Sequence, residues 1–321
     1  MNDSFSVKFW GVRGSHPVPG PQTVFYGGNT ACLSVTVAGR TIILDAGTGI
    51  IPLGRELLAR ARQTGQALEA LLLFSHLHHD HTQGFPFFGP AYNPASRLHL
   101  YGPGASDEAL EELLACNQTP PAFPITLREM QAVKDIHSLT GTETLIFDEN
   151  GLRLMRGSGP VSASAVVIRF MKSYAHPGDV YVYRIEWRGR SLVYATDTEG
   201  YVGGDRRLTA FAKGADLLIH DAQYTPEDYV SKQGFGHSTP QMAAELARAA
   251  GVKQLALFHH DPAYDDEIVH DLEEQAQALF KNAFAAREGQ EVELVVEAGA
   301  RPNHPEKSLF GIAVPRQIGE G

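Results

Sequence analysis

A chain of 321 residues with 43% hydrophobic and 20% charged residues has ordinary globular composition and enough length to bury a full core. Its net charge of −10 argues against a protein that grips long nucleic acid by bulk electrostatics, since that binding is built on Lys and Arg. No membrane span and no signal peptide are expected, and two cysteines, Cys32 and Cys116, fit a reduced, cytoplasmic setting.

Taken in order, the N-terminal third reads as strands. Residues 5–12 alternate apolar and polar side chains, and residues 31–37 and 41–45 predict a hairpin around Ala38-Gly39-Arg40. Residues 54–63 have helical periodicity ending near Gly65, and the apolar run 70–75 predicts a buried strand. A strand at 97–101 and a helix at 106–115, capped by Ser106 or Asp107, follow. Prolines 120, 121 and 124 open a mixed stretch with a turn at Asn150-Gly151, so residues 84–165 read as an insertion or lid. Strands resume at 161–170, 180–187, 191–195 and 215–220. Pro240 to Ala250 predicts a helix with Thr239 as N-cap and Gly251 past its end, before a strand at 254–258. Residues 1–300 are expected to form one α/β domain of two mixed sheets flanked by helices, with 301–321 as a tail.

The chain holds 14 histidines, and His76-Leu77-His78-His79-Asp80-His81 directly follows the run 70–75. Five side chains with metal-ligand chemistry in six residues far exceed what a core requires. His76 and His78 alternate past a strand end, so both imidazoles can face one point, while Asp80 and His81 turn onto a neighbouring one. The nitrogen and oxygen donors, without thiolate, suit zinc and also manganese or iron. Further ligands must come from elsewhere, and His176, Asp197 and His259 (or its neighbour His260) each stand at an expected strand end. A lone histidine in such a place is more often structural. Together, in this order after the cluster, they point to a second part of the same site.

The H-x-H-x-D-H pattern of His76, His78, Asp80 and His81 resembles the signature of the metallo-β-lactamase superfamily. That resemblance implies an αββα sandwich and two divalent metal ions, zinc first among them. One ion would take His76, His78 and His176, the other Asp80, His81 and His259, with Asp197 bridging and Asp80 also counted as catalytic. Asp45 would brace the metal loop without ligating, and His79 would face solvent or support the site. Two metals about 3.5–4 Å apart activate a bridging water and clamp the oxygens of an in-line displacement. Many substrates share that mechanism, so the fold leaves the substrate open.

Gly236-His237-Ser238-Thr239 and Ile219-His220-Asp221-Ala222 resemble paired motifs of the ribonuclease Z branch. The likeness implies His237 as a general acid oriented by Asp221, next to a helix N-terminus suited to a phosphoryl oxygen. Only a short stretch separates His176 from Asp197, with no room there for the tRNA-binding arm common in ribonuclease Z. The openings 9–15 and 26–30 look like compact phosphodiesterases that cleave small or cyclic diesters, commonly as homodimers. Arg13, in a glycine-flanked loop, is a candidate phosphate clamp or a structural arginine. Phe85, Phe87, Phe88 and Tyr92 could stack on a base, though packing suits them better. The expected function is thus a small-molecule phosphodiesterase. The competing readings are a ribonuclease Z-type endonuclease, a lactonase, β-lactamase or thioesterase, and a scaffold without catalysis.

Overall fold

The structure is a computed structural model and describes residues 4–141, 143–157, 159–178, 180–200 and 204–296. The tail expected at 301–321 lies outside the described residues. The first six strands, β1 (Phe5–Gly11), β2 (Cys32–Val37), β3 (Arg40–Leu44), β4 (Glu69–Leu73), β5 (Arg97–Pro103) and β6 (Val133–Leu139), lie in one sheet. The next eight form the other: β7 (Glu143–Asp148), β8 (Gly151–Arg156), β9 (Val166–Ser173), β10 (Val180–Trp187), β11 (Arg190–Ala195), β12 (Leu217–Asp221), β13 (Gln254–Phe258) and β14 (Ala283–Ala285). A short β15 (Glu291–Glu293) returns to the first sheet beside β1.

Both sheets are mixed. Strands β3 to β6 run parallel, as do β11 to β14, and the other pairings are antiparallel. The β2–β3 and β10–β11 hairpins turn through Ala38-Gly39 and Arg188-Gly189, all at positive φ. That is the turn geometry whose twist matches the flanking strands. The β10–β11 hairpin occupies most of the interval between His176 and Asp197.

Strand alternation decides the layering. Ile42, Leu44, Leu71 and Leu73 point into the space between the sheets and meet Ile168, Tyr183, Leu192, Ile219 and Phe258. Their neighbours Ile43, Leu72 and Leu100 point outward onto α1 (Ile50–Thr64), with Leu110 and Leu114 of a second helix, Asp107–Ala115. On the far side Val193, Leu218 and Leu255 pack under the helices Pro240–Ala250 and Asp266–Leu279. Strands buried on both faces read as continuous apolar runs, which is why 70–75 is so plain in the sequence. The result is the expected αββα sandwich. Among the described residues, no helix is long and apolar enough to cross a membrane.

Local signals mostly hold. Ser106 Oγ accepts the Ala109 amide at 3.2 Å, so Ser106 is the cap of its helix. Thr239 Oγ1 accepts the Met242 amide, and Gly251 closes the 240–250 helix at φ +64. Helix α1 starts at Ile50, four residues before the expected 54, and takes Pro52 and Gly54 into its first turns. Residues 84–165 supply β5 and β6 at one end of the first sheet and β7 and β8 at one end of the second.

Candidate metal centre

The parallel halves of both sheets deliver their carboxyl ends to the same end of the sandwich, where open α/β sheets bind ligands. Asp45 follows β3, Ser75 and His76 follow β4, Asp197 follows β11, Asp221 ends β12, and His259 follows β13. Asp45, Asp197 and His259 take left-handed backbone, at φ +59, +51 and +64. Such residues cost about 1–3 kcal/mol each and persist only where the surroundings hold them.

These ends, with the 76–81 loop, converge. Potential ligand atoms of His76, His78 and His176 lie within 4.8 Å of one another, as do those of Asp80, His81 and His259. His176 Nε2 is 3.1 Å from His78 Nδ1. On the other side His81 Nε2 is 3.3 Å from His259 Nε2, and Asp80 Oδ2 is 3.2 Å and 3.1 Å from those two nitrogens. Asp197 stands between the sets. Its Oδ1 is 3.6 Å from His76 Nε2 and 3.4 Å from His259 Nε2, and its Oδ2 is 3.2 Å from His81 Nε2.

The outer nitrogens explain why the inner ones point inward. Asp45 Oδ2 accepts from His81 Nδ1 at 2.8 Å, and the same carboxylate takes the Ser75 amide, the Ser75 hydroxyl and the Tyr194 hydroxyl. Ser75 Oγ, having donated to Asp45, accepts from His76 Nδ1 at 3.1 Å. The Gly236 carbonyl accepts from His176 Nδ1 at 3.2 Å, and Gln223 Oε1 from His259 Nδ1 at 3.0 Å. In each pair the partner can only accept, so Nδ1 keeps its proton and Nε2 is the nitrogen left for a ligand bond. Bracing of this kind orients metal-binding histidines. Glycine makes room for it. A Cβ at Gly14 would lie 2.4 Å from the His259 ring, and one at Gly236, where φ is +94, only 2.1 Å from His176 Nδ1.

Charge is arranged as a cation site requires. Burial first, then neighbouring His81, lowers His76 well below the ordinary imidazole range, and burial lowers His78 and His176 as well. Burial would raise Asp80 and Asp197, but the surrounding histidines hold both well below the usual carboxylate range. His76 Nε2 is buried without a hydrogen-bond partner among the described residues. Orphaned buried donors or acceptors are rare and costly. The lowered imidazoles of His76, His78 and His176, the buried carboxylates and this orphaned nitrogen fit a divalent metal. Burial would lower His81 too, but Asp80 and Asp197 hold it well above the ordinary imidazole range, so that an ion there would take the place of its proton.

His237 stands beside this centre. Its Nδ1 is 2.8 Å from Oδ2 of the fully buried Asp221, and its ring stacks on His259 at 5.0 Å between centroids. Asp221 Oδ1 also accepts the Ser238 amide at 2.8 Å, which fixes the loop carrying His237. Burial opposes a charge on His237, yet Asp221 carries its pKa up to about 9.

Other expected residues fall elsewhere. Arg13 is 0% exposed, and its guanidinium donates to the carbonyls of Gly27, Asp261 and Tyr264. Enclosed in this way it fastens the first loop to the 261–264 segment, so the structural reading replaces the phosphate clamp. His260 turns away, with Nε2 on the Ala286 carbonyl. His79 is exposed. Phe85 and Phe88 are core residues, whereas Phe87 is 57% exposed beside Phe123. Sequence reasoning missed Gln223, which lies two residues past Asp221 and had no motif to flag it.

The family described as the beta-lactamase superfamily domain matches residues 40–260, which takes in every residue of this centre except Gly14. The ribonuclease Z of Gemmatimonas aurantiaca is 26% identical over 334 residues, covering 90% of this chain and 96% of the relative. Among solved structures, the metallo-β-lactamase fold protein YhfI from Bacillus subtilis superposes with a TM-score of 0.62 at 21% identity, over 91% of this chain and 100% of that one. A diphosphatase from the PhnP family gives a TM-score of 0.59 at 17% identity, over 91% and 98%. Fold, family match and ligand chemistry agree: the chain belongs to the beta-lactamase superfamily and is a metal-dependent hydrolase.

Proposed function

We propose that the chain is a dinuclear phosphodiesterase acting on small or cyclic phosphodiesters. In this reading one ion, zinc first and manganese or iron as alternatives, is held by His76, His78 and His176. The second is held by Asp80, His81 and His259, and Asp197 serves both. Such a pair of ions lowers the pKa of water and stabilises charge on phosphoryl oxygens.

The observation that carries the diester assignment is the Asp221–His237 pair against the ligand set. An alkoxide leaving a phosphodiester needs a proton, and His237 offers one within reach of the centre. Asp221 keeps that imidazole charged, while cations nearby draw its pKa from about 9 back towards neutrality, where a general acid works best. A lactone or β-lactam also releases a basic leaving group, so what turns this acid towards diesters is the likeness of the 219–222 and 236–239 motifs to the ribonuclease Z branch.

A second reading, a ribonuclease Z-type endonuclease, is favoured by the name of the full-length relative described above. Against it stand the net charge of −10 and the short β10–β11 hairpin where an arm would emerge. Homodimerisation and a cytoplasmic location belong to the same proposal as the small substrate.

A turnover panel after zinc or manganese reconstitution separates these readings. It would hold bis-p-nitrophenyl phosphate, cyclic nucleotides, a pre-tRNA, a lactone and nitrocefin. The expected result is the highest kcat/KM on a small diester. Preference for pre-tRNA would install the second reading, and preference for the lactone or nitrocefin would overturn both.

A further inference from the structure

Glu199 lies two residues past Asp197, is buried, and belongs to no ligand group described above. Its two carboxylate oxygens accept the Gly234 amide at 2.8 Å and 3.0 Å. The Gly236 amide adds a bond of 3.0 Å and the Tyr229 hydroxyl one of 2.8 Å. Gly234 and Gly236 both take positive φ, +85 and +94, which curls this short stretch so that its N–H groups converge. Backbone in that shape binds anions. Here the anion is the chain's own side chain, and these donors use most of the roughly four lone-pair sites of a carboxylate.

What the clamp holds is the loop between the two halves of the site. Gly236 supplies the carbonyl that accepts from His176 Nδ1, and His237 is the next residue. Ser238 Oγ donates to the Thr198 carbonyl at 2.5 Å, so the 198–199 and 234–238 segments are stitched side by side. The braces of the other set, Asp45 on His81 and Gln223 on His259, share no atom with this arrangement.

We propose that Glu199 is a positioning residue whose carboxylate grips the Gly234 and Gly236 amides, so that the Gly236 carbonyl fixes His176 for its ion. The proposal rests on the reading of His176 as a ligand, and it makes the clamp specific to one ion of the two.

Competition titration with zinc alone, against chelators of graded affinity, tests it on the full chain. Glu199→Gln keeps the size of the side chain but replaces one acceptor with an amide donor. It should weaken one zinc by roughly 10–100-fold, the usual effect of losing such a brace, and leave the other unchanged. Tyr229→Phe, which spares both amide bonds, should leave both affinities as they are. Equal weakening of both ions in Glu199→Gln, or of neither, overturns the proposal. Fewer than two zinc ions in the unsubstituted chain would overturn the ligand assignment, and the proposal with it. Should Glu199→Gln fail to fold, hydrogen exchange on the unsubstituted protein decides. The Gly234 and Gly236 amides should both be protected, and exchange of both at unprotected rates would overturn the clamp.

Discussion

The two halves of the metal centre are built differently. The first sheet contributes a single loop, 76–81, in which four of the seven proposed ligands follow one another and one carboxylate, Asp45, ties down Ser75, His81 and the distant Tyr194. The second sheet contributes His176, Asp197 and His259 from three separate strand ends, each with its own support. A contiguous loop can be set by one anchor. A dispersed set needs one anchor per ligand, so damage to it should stay local, whereas damage to the loop should spread.

Asp197 is the exception, since its oxygens face both sets, and its loss should have the largest effect of all. Asp197→Ala is expected to abolish turnover and reduce metal content from two ions towards none, read by elemental analysis after reconstitution. Retention of two ions at a near-normal rate would remove Asp197 from its place between the sets.

Asp45→Ala comes next. It leaves four donors around a buried gap, and stripping a buried charge from its partners costs about 3–5 kcal/mol. Thermal unfolding should show that loss, and both ions should weaken, because His76 is braced through Ser75 and His81 directly. Gln223→Leu removes the acceptor of His259 alone. It should weaken one ion by roughly 10-fold, the lower end of such effects, with little change in melting temperature. Should Gln223→Leu weaken both ions as much as Asp45→Ala does, the contrast between the halves fails.

A smaller and more local effect concerns protonation. In the metal-free chain His237 is held up to about 9, with Asp221 the main raising influence against burial. Asp221→Asn removes that charge, so burial should carry the titration of His237 down, with only Asp197 and Asp80 left to raise it. The neutral form would then gain ground at pH 7, and a downward shift followed by NMR reads it directly. An unmoved titration would mean that Asp221 does not set the charge of His237.

The same contrast explains what was legible in the sequence. The loop declared itself because its ligands are adjacent, and the apolar run before it fixed the strand that delivers it. His176, Asp197 and His259 were found as polar residues at strand ends, ordered as the resemblance implies. Gln223 was not, and Gly236 stood in a quoted motif without its role on His176, because each acts on a histidine tens of residues away and neither type signals metal chemistry. Arg13 was ambiguous for the same reason. The carbonyls of Asp261 and Tyr264 that capture it come from the far end of the chain, where no local pattern points back to residue 13. Strand β6 went unread because it lies at the sheet edge, where partial exposure breaks alternation. The helix Asp266–Leu279 went unread despite Val269, Leu272 and Ala276 at helical spacing behind an Asp265 cap.

The most direct test of the diesterase account compares leaving groups in His237→Ala. The variant should keep its fold and its metal. On a diester with a poor leaving group, such as an alkyl or cyclic nucleotide ester, it should lose on the order of 10²–10⁴ in rate, the usual worth of a general acid. On bis-p-nitrophenyl phosphate, whose leaving group departs with little protonation, the loss should be much smaller. Equal losses on both substrates, or none on either, would contradict the assignment of His237 and return the lactonase reading to the front.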